Sequence, residues 1–342
     1  MSWFGARLPE RSLDKSAEGE TGVSVAPRTV QRKPKIGFAM GAGSARGWAH
    51  IGVLRELESA GIKPDMIAGA SIGAVVGGCH AAGKLNEIEQ FALGMTKRRM
   101  FSLMDFSFSG SGLISGSRLK ERLDEALGQT RIEDLPIRFS AVATEMGSGH
   151  EIWLSKGQLV DAIRASYALP GIFEPLRVNG RWLFDGALVN PIPVTVCRVL
   201  GADLVIAINL NTDLRRTAAS EEAIAEQALG DYQDEAERTR QPSLGILPLL
   251  RNPASLFRRQ FAAAENGAPG IATAMVDAFN ITQDRIARSR LAGDPPDISI
   301  MPRLSGIGFF DFHRAQEMID IGRQAAQKAL PDIRDVIAAA AA

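Results

Sequence analysis

The segment from 66 to 82 most constrains how this chain can fold, because it contains no Asp, Glu, Lys or Arg. An apolar stretch of this length approaches the roughly 18 residues of a membrane-spanning helix. Its glycines argue against a membrane span, and they are Gly69, Gly73, Gly77 and Gly78. A buried strand, a tight turn and a buried helix would have the same composition. We therefore interpret the segment as strand, turn and helix.

A similar pattern precedes this segment. Residues 36–40 predict a short apolar strand, and apolar side chains recur at helical spacing over 48–57. With the strand predicted at 65–68, the order strand, helix, strand implies a parallel pair. Further helices are predicted over 71–82 and 86–97. The expected fold class is therefore α/β, a layered α/β/α arrangement with mostly parallel central strands.

Later elements continue this layered pattern. A Phe-, Ser- and Gly-rich stretch at 100–115 predicts a mobile loop. Asn179-Gly180 between two apolar runs predicts a hairpin, which places Asp185 at the end of a strand. The remaining strands and helices are expected at 117–127, 137–145, 151–154, 194–200, 202–210, 272–290, 298–301 and 315–330.

Composition divides the chain into four expected parts. Residues 1–33 are polar and predict a flexible tail, and 34–210 carry the core of the fold. Residues 211–253 are polar and rich in Arg and Glu, which is typical of an insertion or linker. Residues 254–342, with a further helix expected at 255–264, form a helical part that completes the same domain.

Charge and cysteine content exclude some functions. Lys plus Arg and Asp plus Glu both number 39, so no global basic field attracts nucleic acid. The two cysteines, Cys79 and Cys197, are too few for a disulfide framework and lack the spacing of a zinc site. The N-terminal region has no apolar run typical of a secretory leader. These features favour a cytoplasmic location and leave the oligomeric state open.

A GxSxG motif lies between a predicted strand and a predicted helix. It consists of Gly69, Ala70, Ser71, Ile72 and Gly73. A serine at such a turn is held clear of the backbone, and the flanking small residues let strand and helix pack closely. The motif indicates a nucleophile elbow. A glycine-rich turn whose serine only caps the helix is the alternative.

A glycine loop directly follows the first strand. Backbone amides of Gly41, Ala42, Gly43 and Ser44 could cradle either a phosphate or the oxyanion of an acyl-transfer intermediate. Dinucleotide binding would require an acidic residue at the far end of the second strand, whereas Asp65 lies at the beginning of that strand. No P-loop pattern occurs in the sequence.

A third motif, Asp185-Gly186-Ala187, ends the hairpin strand. The carboxylate could act as a general base, and Gly186 would allow close backbone approach. An Asx turn that merely closes the strand is the alternative.

Together the three motifs resemble the bacterial, neuropathy-target-esterase-like branch of the patatin-like phospholipase family. Its pattern is GxGxxRG, then GxSxG, then DG[AG]. The resemblance covers about 35–210, includes the connecting block 165–175, and extends to the final helix. The residues that complete the three motifs are Arg46, Gly47, Gly69, Gly73, Gly186 and Ala187.

The resemblance implies a catalytic dyad with no metal and no cofactor. Ser71 would attack an acyl ester, Asp185 would take its proton, and amides from Gly41 to Ser44 would form the oxyanion hole. Family members cleave fatty-acyl esters of phospholipids, lysophospholipids or neutral lipids. Arg46 would orient the glycine loop or meet a phosphate, unless it pairs with a carboxylate.

Two alternative functions stay open at this point. An acyltransferase would share the acyl-enzyme but pass the acyl group to an alcohol. A nucleotide- or phosphate-binding module would use the glycine loop without chemistry. A Ser-Asp-His triad would need His313, the one histidine after Asp185, but nothing in the sequence brings it near the elbow. The other histidines, His50, His80 and His150, are expected to be structural or surface residues.

Lipid substrates would favour peripheral contact with the inner membrane surface. The candidates for insertion into the membrane interface are Phe101, Phe106 and Phe108, or the apolar run 244–250. A lid or ordinary core is the alternative role of these residues.

Overall fold

The computed structural model describes residues 32–105, 112–211 and 270–342. Within these ranges the strands are β1 (Ile36–Met40), β2 (Met66–Ala70), β3 (Gly112–Ile114), β4 (Arg138–Glu145), β5 (Glu151–Leu154), β6 (Gly171–Phe173), β7 (Leu176–Val178), β8 (Arg181–Asp185), β9 (Leu204–Ile208) and β10 (Ile298–Ile300). The helices are α1 (Ala49–Ser59), α2 (Ile72–Ala81), α3 (Leu85–Leu93), α4 (Lys97–Leu103), α5 (Ser117–Leu127), α6 (Leu159–Ser166), α7 (Val194–Val199), α8 (Ile271–Gly293) and α9 (Ala315–Ala341).

An 8-stranded sheet organises the described residues, in the order β10-β9-β1-β2-β4-β8-β7, with β5 also paired to β4. The first five strands of this order are parallel to one another. By contrast, β5 and β8 run antiparallel to β4, and β7 forms a hairpin with β8. The predicted α/β fold with mostly parallel central strands and the predicted hairpin are confirmed.

The central strands are apolar on both faces because helices cover both sides of the sheet. Along β1, Phe38 and Met40 join a core cluster with the side chains of α1, α2, α6 and α9. Ala39, which points to the opposite face, joins a second cluster with α7 and α8. Alternation of side chains between faces is inherent to a strand. The three layers therefore follow directly from the uninterrupted apolar runs.

Part of the segment expected to be a mobile loop is regular structure. Helix α4 begins after Thr96, whose side chain accepts a hydrogen bond from the amide of Arg99 (3.1 Å). The carboxylate of Asp105 then accepts hydrogen bonds from the amides of Gly116 (2.9 Å) and Ser117 (2.7 Å) at the start of α5. The expectation of a loop over 100–115 was wrong for the described part, because it overlooked these caps.

Other boundaries also differ from expectation. Helix α3 ends at Leu93 rather than near 97, because Gly94 caps it. Helix α9 continues through Pro331 to Ala341, beyond the predicted end at 330. The buried Ile333 extends its apolar face past the proline. The predicted tail 1–33, the insertion 211–253, the helix at 255–264 and the run 244–250 lie almost wholly outside the described residues.

Candidate active site

The edge of β4 brings the serine and the aspartate together. Strand β2 pairs with β4 up to Ala70 opposite Val142, and β8 pairs with it from Asp185 opposite Ala143. Strand β5 pairs with β4 over 141–144, a range that includes residues paired with β2 and residues paired with β8. It must therefore lie on the other edge of β4 from both. Therefore β2 and β8 share one edge, and the residue that follows β2 meets the last residue of β8 there.

Ser71 occupies a strained turn between β2 and α2. Its backbone has φ 55° and ψ −125°, a region that costs a non-glycine residue of order 1–3 kcal/mol. Its hydroxyl Oγ donates to Oδ2 of Asp185 at 2.7 Å. Such strain is commonly found at functional sites, where it aims a side chain.

The two glycines of the elbow are needed for close packing. A Cβ at Gly69 would lie 2.6 Å from the backbone nitrogen of Ala74, and one at Gly73 would overlap the carbonyl oxygen of Met40. The turn is therefore pressed against both α2 and β1. Gly47 packs in the same way, because a Cβ there would overlap the side chain of Ile72.

Asp185 is almost completely buried, at 1% exposure. Its Oδ1 accepts a hydrogen bond from the amide of Ala187 at 2.8 Å, and no cation pairs with it among the described residues. Burial disfavours the charged carboxylate and raises the pKa of Asp185 to about 7. A carboxyl with this pKa can accept and return a proton near neutral pH. Gly186 lets Val142 approach, since a Cβ there would overlap the carbonyl oxygen of Val142.

The amides of the glycine loop divide into two pairs. Gly41 donates its amide to the carbonyl of Ile208 (3.1 Å), and Ala42 donates to that of Pro191 (2.9 Å). These two hold the loop against its neighbours. Across the described ranges, the amides of Gly43 and Ser44 have no acceptor, and Ser44 lines the same cavity as Ser71.

Two buried basic side chains support the glycine loop. Nε2 of His50 donates to the carbonyl of Gly41 at 2.7 Å, and burial lowers the pKa of His50 to about 4, so the ring is neutral near pH 7. Nε of Arg46 donates to the carbonyl of Gly43 at 3.2 Å, and its guanidinium also reaches Oδ1 of Asn280 (3.4 Å). Arg46 thus contacts the loop backbone that carries the free amides. His50 was expected to be a structural or surface residue, and no pattern in the sequence indicates its contact with the loop.

An apolar cavity of about 200 Å³ opens beside Ser71. It follows one face of α2 through Ser71, Val75 and Cys79, a path of about 12 Å at 1.5 Å per residue. Lys84 and Glu87, a partly exposed ion pair, also line it. The wall consists mainly of apolar side chains from α3, α4, α5 and α8 and the segment before α9, among them Ile88, Phe91, Met95, Met100, Leu103, Met104, Leu119, Leu123, Phe279, Phe309, Phe310 and Phe312.

The segment that carries His313 packs close to this site, although no sequence pattern predicted this. The carbonyl of Phe309 accepts hydrogen bonds from the hydroxyl of Ser44 (2.7 Å) and the amide of Ala45 (3.2 Å). The His313 side chain nevertheless makes no hydrogen bond to Ser71 or Asp185 and does not line the cavity. His80 is buried beside Glu58, and His150 is exposed beside Glu145.

Neither a metal cluster nor a membrane-spanning helix is found in the part of the chain that the structure describes. Within it, no three His, Cys, Asp or Glu side chains gather where a metal ion could bind. No described helix is long and apolar enough to cross a membrane. Phe101, one of the proposed interfacial residues, lies in α4, while Phe106 and Phe108 fall outside the described residues.

Comparison with known proteins identifies relatives. A family model described as patatin-like phospholipase matches residues 38–198. An uncharacterized NTE family protein from Mycobacterium tuberculosis is 35% identical over 333 residues, covering 87% of this chain and 91% of the relative. A second NTE family protein of that organism is 28% identical over 343 residues, which span 98% of this chain and 52% of the relative.

A more distant match has a named activity. The lysophospholipase nte1 of Emericella nidulans is 30% identical over 192 residues, covering 52% of this chain and 12% of that much longer protein. The matched region of the family model contains both Ser71 and Asp185. The resemblance noted in the sequence is confirmed, and the chain belongs to the NTE-like branch of the patatin-like phospholipase family.

Proposed function

We propose that this protein is a serine hydrolase that cleaves fatty-acyl ester bonds of lipids. The observation that carries the proposal is the 2.7 Å hydrogen bond between Ser71 Oγ and Asp185 beside an apolar cavity. A cavity with this lining favours an alkyl chain, and the serine at its wall would meet the ester carbonyl. The family and its named lysophospholipase support the same substrate class.

The first half of the reaction forms a covalent acyl-enzyme. Ser71 Oγ bonds to the carbonyl carbon while Asp185 takes the hydroxyl proton. The amides of Gly43 and Ser44 donate to the developing oxyanion. The proposed oxyanion hole therefore consists of two amides, whereas four, from Gly41 to Ser44, were predicted from the sequence. The bond to the alcohol then breaks, and Asp185 returns its proton to the departing oxygen.

Water completes the cycle. It attacks the acyl carbon and passes a proton to Asp185, the bond to Ser71 Oγ breaks, and the proton returns to that oxygen. An alcohol in place of water would make the protein an acyltransferase by the same chemistry.

We further propose that the protein acts in the cytoplasm at the inner membrane surface, because its substrates partition into bilayers.

A panel of substrates tests this function. Fatty-acid release from lysophospholipids, diacylphospholipids, monoacylglycerols and short-chain esters is measured, with and without an added alcohol acceptor. Release from long-chain esters is expected to exceed release from short ones. Absence of release from every ester, with a folded protein, would reject the proposal, and acyl transfer to the alcohol would favour the acyltransferase.

The pKa of Asp185 predicts a specific pH profile. Only the ionised carboxylate accepts the serine proton, so kcat/KM should rise with pH and reach half its plateau near pH 7. At pH 6 the rate should be about tenfold below the plateau for a single group of that pKa. A flat profile between pH 5 and 8 would contradict Asp185 as the base.

Stability should change in the opposite direction. Because the folded-state pKa of Asp185 is raised from 3.8 to about 7, its contribution to stability is full below 3.8 and is lost as pH rises through 7. Asp185→Asn cannot ionise and is the matched control. Relative to wild type, this variant should become more stable as the pH rises from about 4 to 8, measured by thermal melting.

The glycine loop is tested by Gly43→Ala. A Cβ at this position would lie 3.0 Å from the Cβ and Cδ1 of Leu210, so either the Leu210 side chain or the loop must shift by a few tenths of an ångström. Displacing an oxyanion donor costs roughly 3–4 kcal/mol in the transition state when the donor is lost completely. We expect kcat to fall more than KM rises, in steady-state kinetics. A change in KM alone would make the loop a substrate-binding element.

A further inference from the structure

Ser166 is a buried polar residue that the chemistry described so far does not use. It is the last residue of α6 and is fully buried. Its hydroxyl accepts a hydrogen bond from the amide of Ser71 at 3.0 Å and donates one to the carbonyl of Val142 at 2.6 Å. One side chain therefore links the backbone of the nucleophile to β4.

The location of this link matters because the pairing between β2 and β4 ends there. Val142 is the last residue of β4 that pairs with β2, through Ala70. Ser71 then turns out of the sheet with a φ of 55°. Its amide would be a buried donor with no acceptor if the hydroxyl of Ser166 were absent, and an unpaired buried donor is costly. The hydroxyl thus supplies the bond that lets the backbone leave the strand at this angle.

The same short segment also holds the aspartate. The carbonyl of Ala168 accepts a hydrogen bond from the amide of Asp185 at 2.9 Å. On the other side, the hydroxyl of Thr144 donates to the carbonyl of Asp185 at 2.8 Å. Residues 166 and 168 therefore fix the backbones of both Ser71 and Asp185 relative to β4.

We propose that Ser166 is a positioning residue that holds the Ser71 amide and so sets the aim of the Ser71 hydroxyl. The inference rests on the proposed function, because it concerns how that nucleophile is held. In this proposal Ser166 itself touches no substrate. Its loss should slow attack by Ser71 without changing what the cavity binds.

The test compares Ser166→Ala with Ser140→Ala. Ser140 is also fully buried, lies in β4 two residues before Val142, and its hydroxyl makes no hydrogen bond. Both variants lose the same atom from the same core, but only one loses the link to Ser71. Each protein is reacted with a fluorophosphonate probe, and two quantities are measured: the rate constant of labelling and the final fraction labelled.

For Ser166→Ala we expect complete labelling at a rate about 10- to 100-fold below wild type, because a small misplacement of a reacting group costs a factor of this order. Ester hydrolysis should show the same fall in kcat with KM within about twofold. Ser140→Ala should match wild type in both measurements. A merely structural role would instead lower the final labelled fraction and the melting temperature at an unchanged rate, and that result would overturn the proposal.

A second variant covers the case in which Ser166→Ala does not fold. Ser166→Cys keeps the shape of the side chain with a somewhat larger terminal atom, but a thiol is a weak donor and a weak acceptor. It should label to completion at a reduced rate, and labelling at the wild-type rate would overturn the proposal. If wild type itself is not labelled, the proposed hydrolase function fails; a labelled wild type with a fully reactive Ser166 variant rejects only the positioning role.

Discussion

Ser71→Ala should abolish ester hydrolysis while leaving the fold intact. Loss of a serine nucleophile of this kind lowers kcat by roughly 10⁴-fold or more, because no other group can form the acyl-enzyme. The substitution removes one oxygen from a turn and few packing atoms. Release of p-nitrophenol from a medium-chain ester measures the loss, and circular dichroism with thermal melting checks the fold. Turnover near wild type in a folded variant would show that Ser71 is not the nucleophile.

Asp185→Asn should be almost as damaging, with a fall in kcat of roughly 10³–10⁴-fold, comparable to loss of the acidic member of a serine triad. The amide keeps the shape of the side chain but cannot take the proton. His313→Ala should keep most activity, because His313 makes no hydrogen bond to Ser71 or Asp185. Both variants are assayed as above and compared at equal folded concentration.

The opposite ranking would identify a different mechanism. If His313→Ala were inactive and Asp185→Asn active, the base would be a histidine, as in a triad hydrolase. Because the segment before α9 packs against the glycine loop through Phe309, a role for His313 needs this direct test. A shared loss in both variants would imply that His313 supports the site through that loop.

Local sequence patterns predicted most of the fold. The apolar runs predicted β1 and β2, and Asn179-Gly180 predicted the β7–β8 hairpin, because strand periodicity and turn chemistry are local properties. The interpretation of residues 66–82 as strand, turn and helix is likewise confirmed. Among the described residues, the segment around Asp105 was expected to be a loop, but capping contacts between residues distant in the sequence order part of it.

The candidate site could be predicted in part for the same reason. GxSxG and Asp185 carry recognisable local signals. The meeting of β2 and β8 on one edge of β4 depends on register, which no local pattern specifies. His50 and Ser166 act on residues 9 and 95 positions away in the sequence. The only signal for Ser166 was its place in the block 165–175 of the family resemblance.

The proposed reaction requires Ser71, activated by Asp185, to form a covalent bond with the substrate. The most direct measurement is to react wild type with a fluorophosphonate probe, digest it, and locate the adduct by mass spectrometry. We expect one adduct, on the peptide that contains Ser71, greatly slowed in Asp185→Asn and absent in Ser71→Ala. An adduct on another residue, or equal labelling of Ser71→Ala, would contradict it.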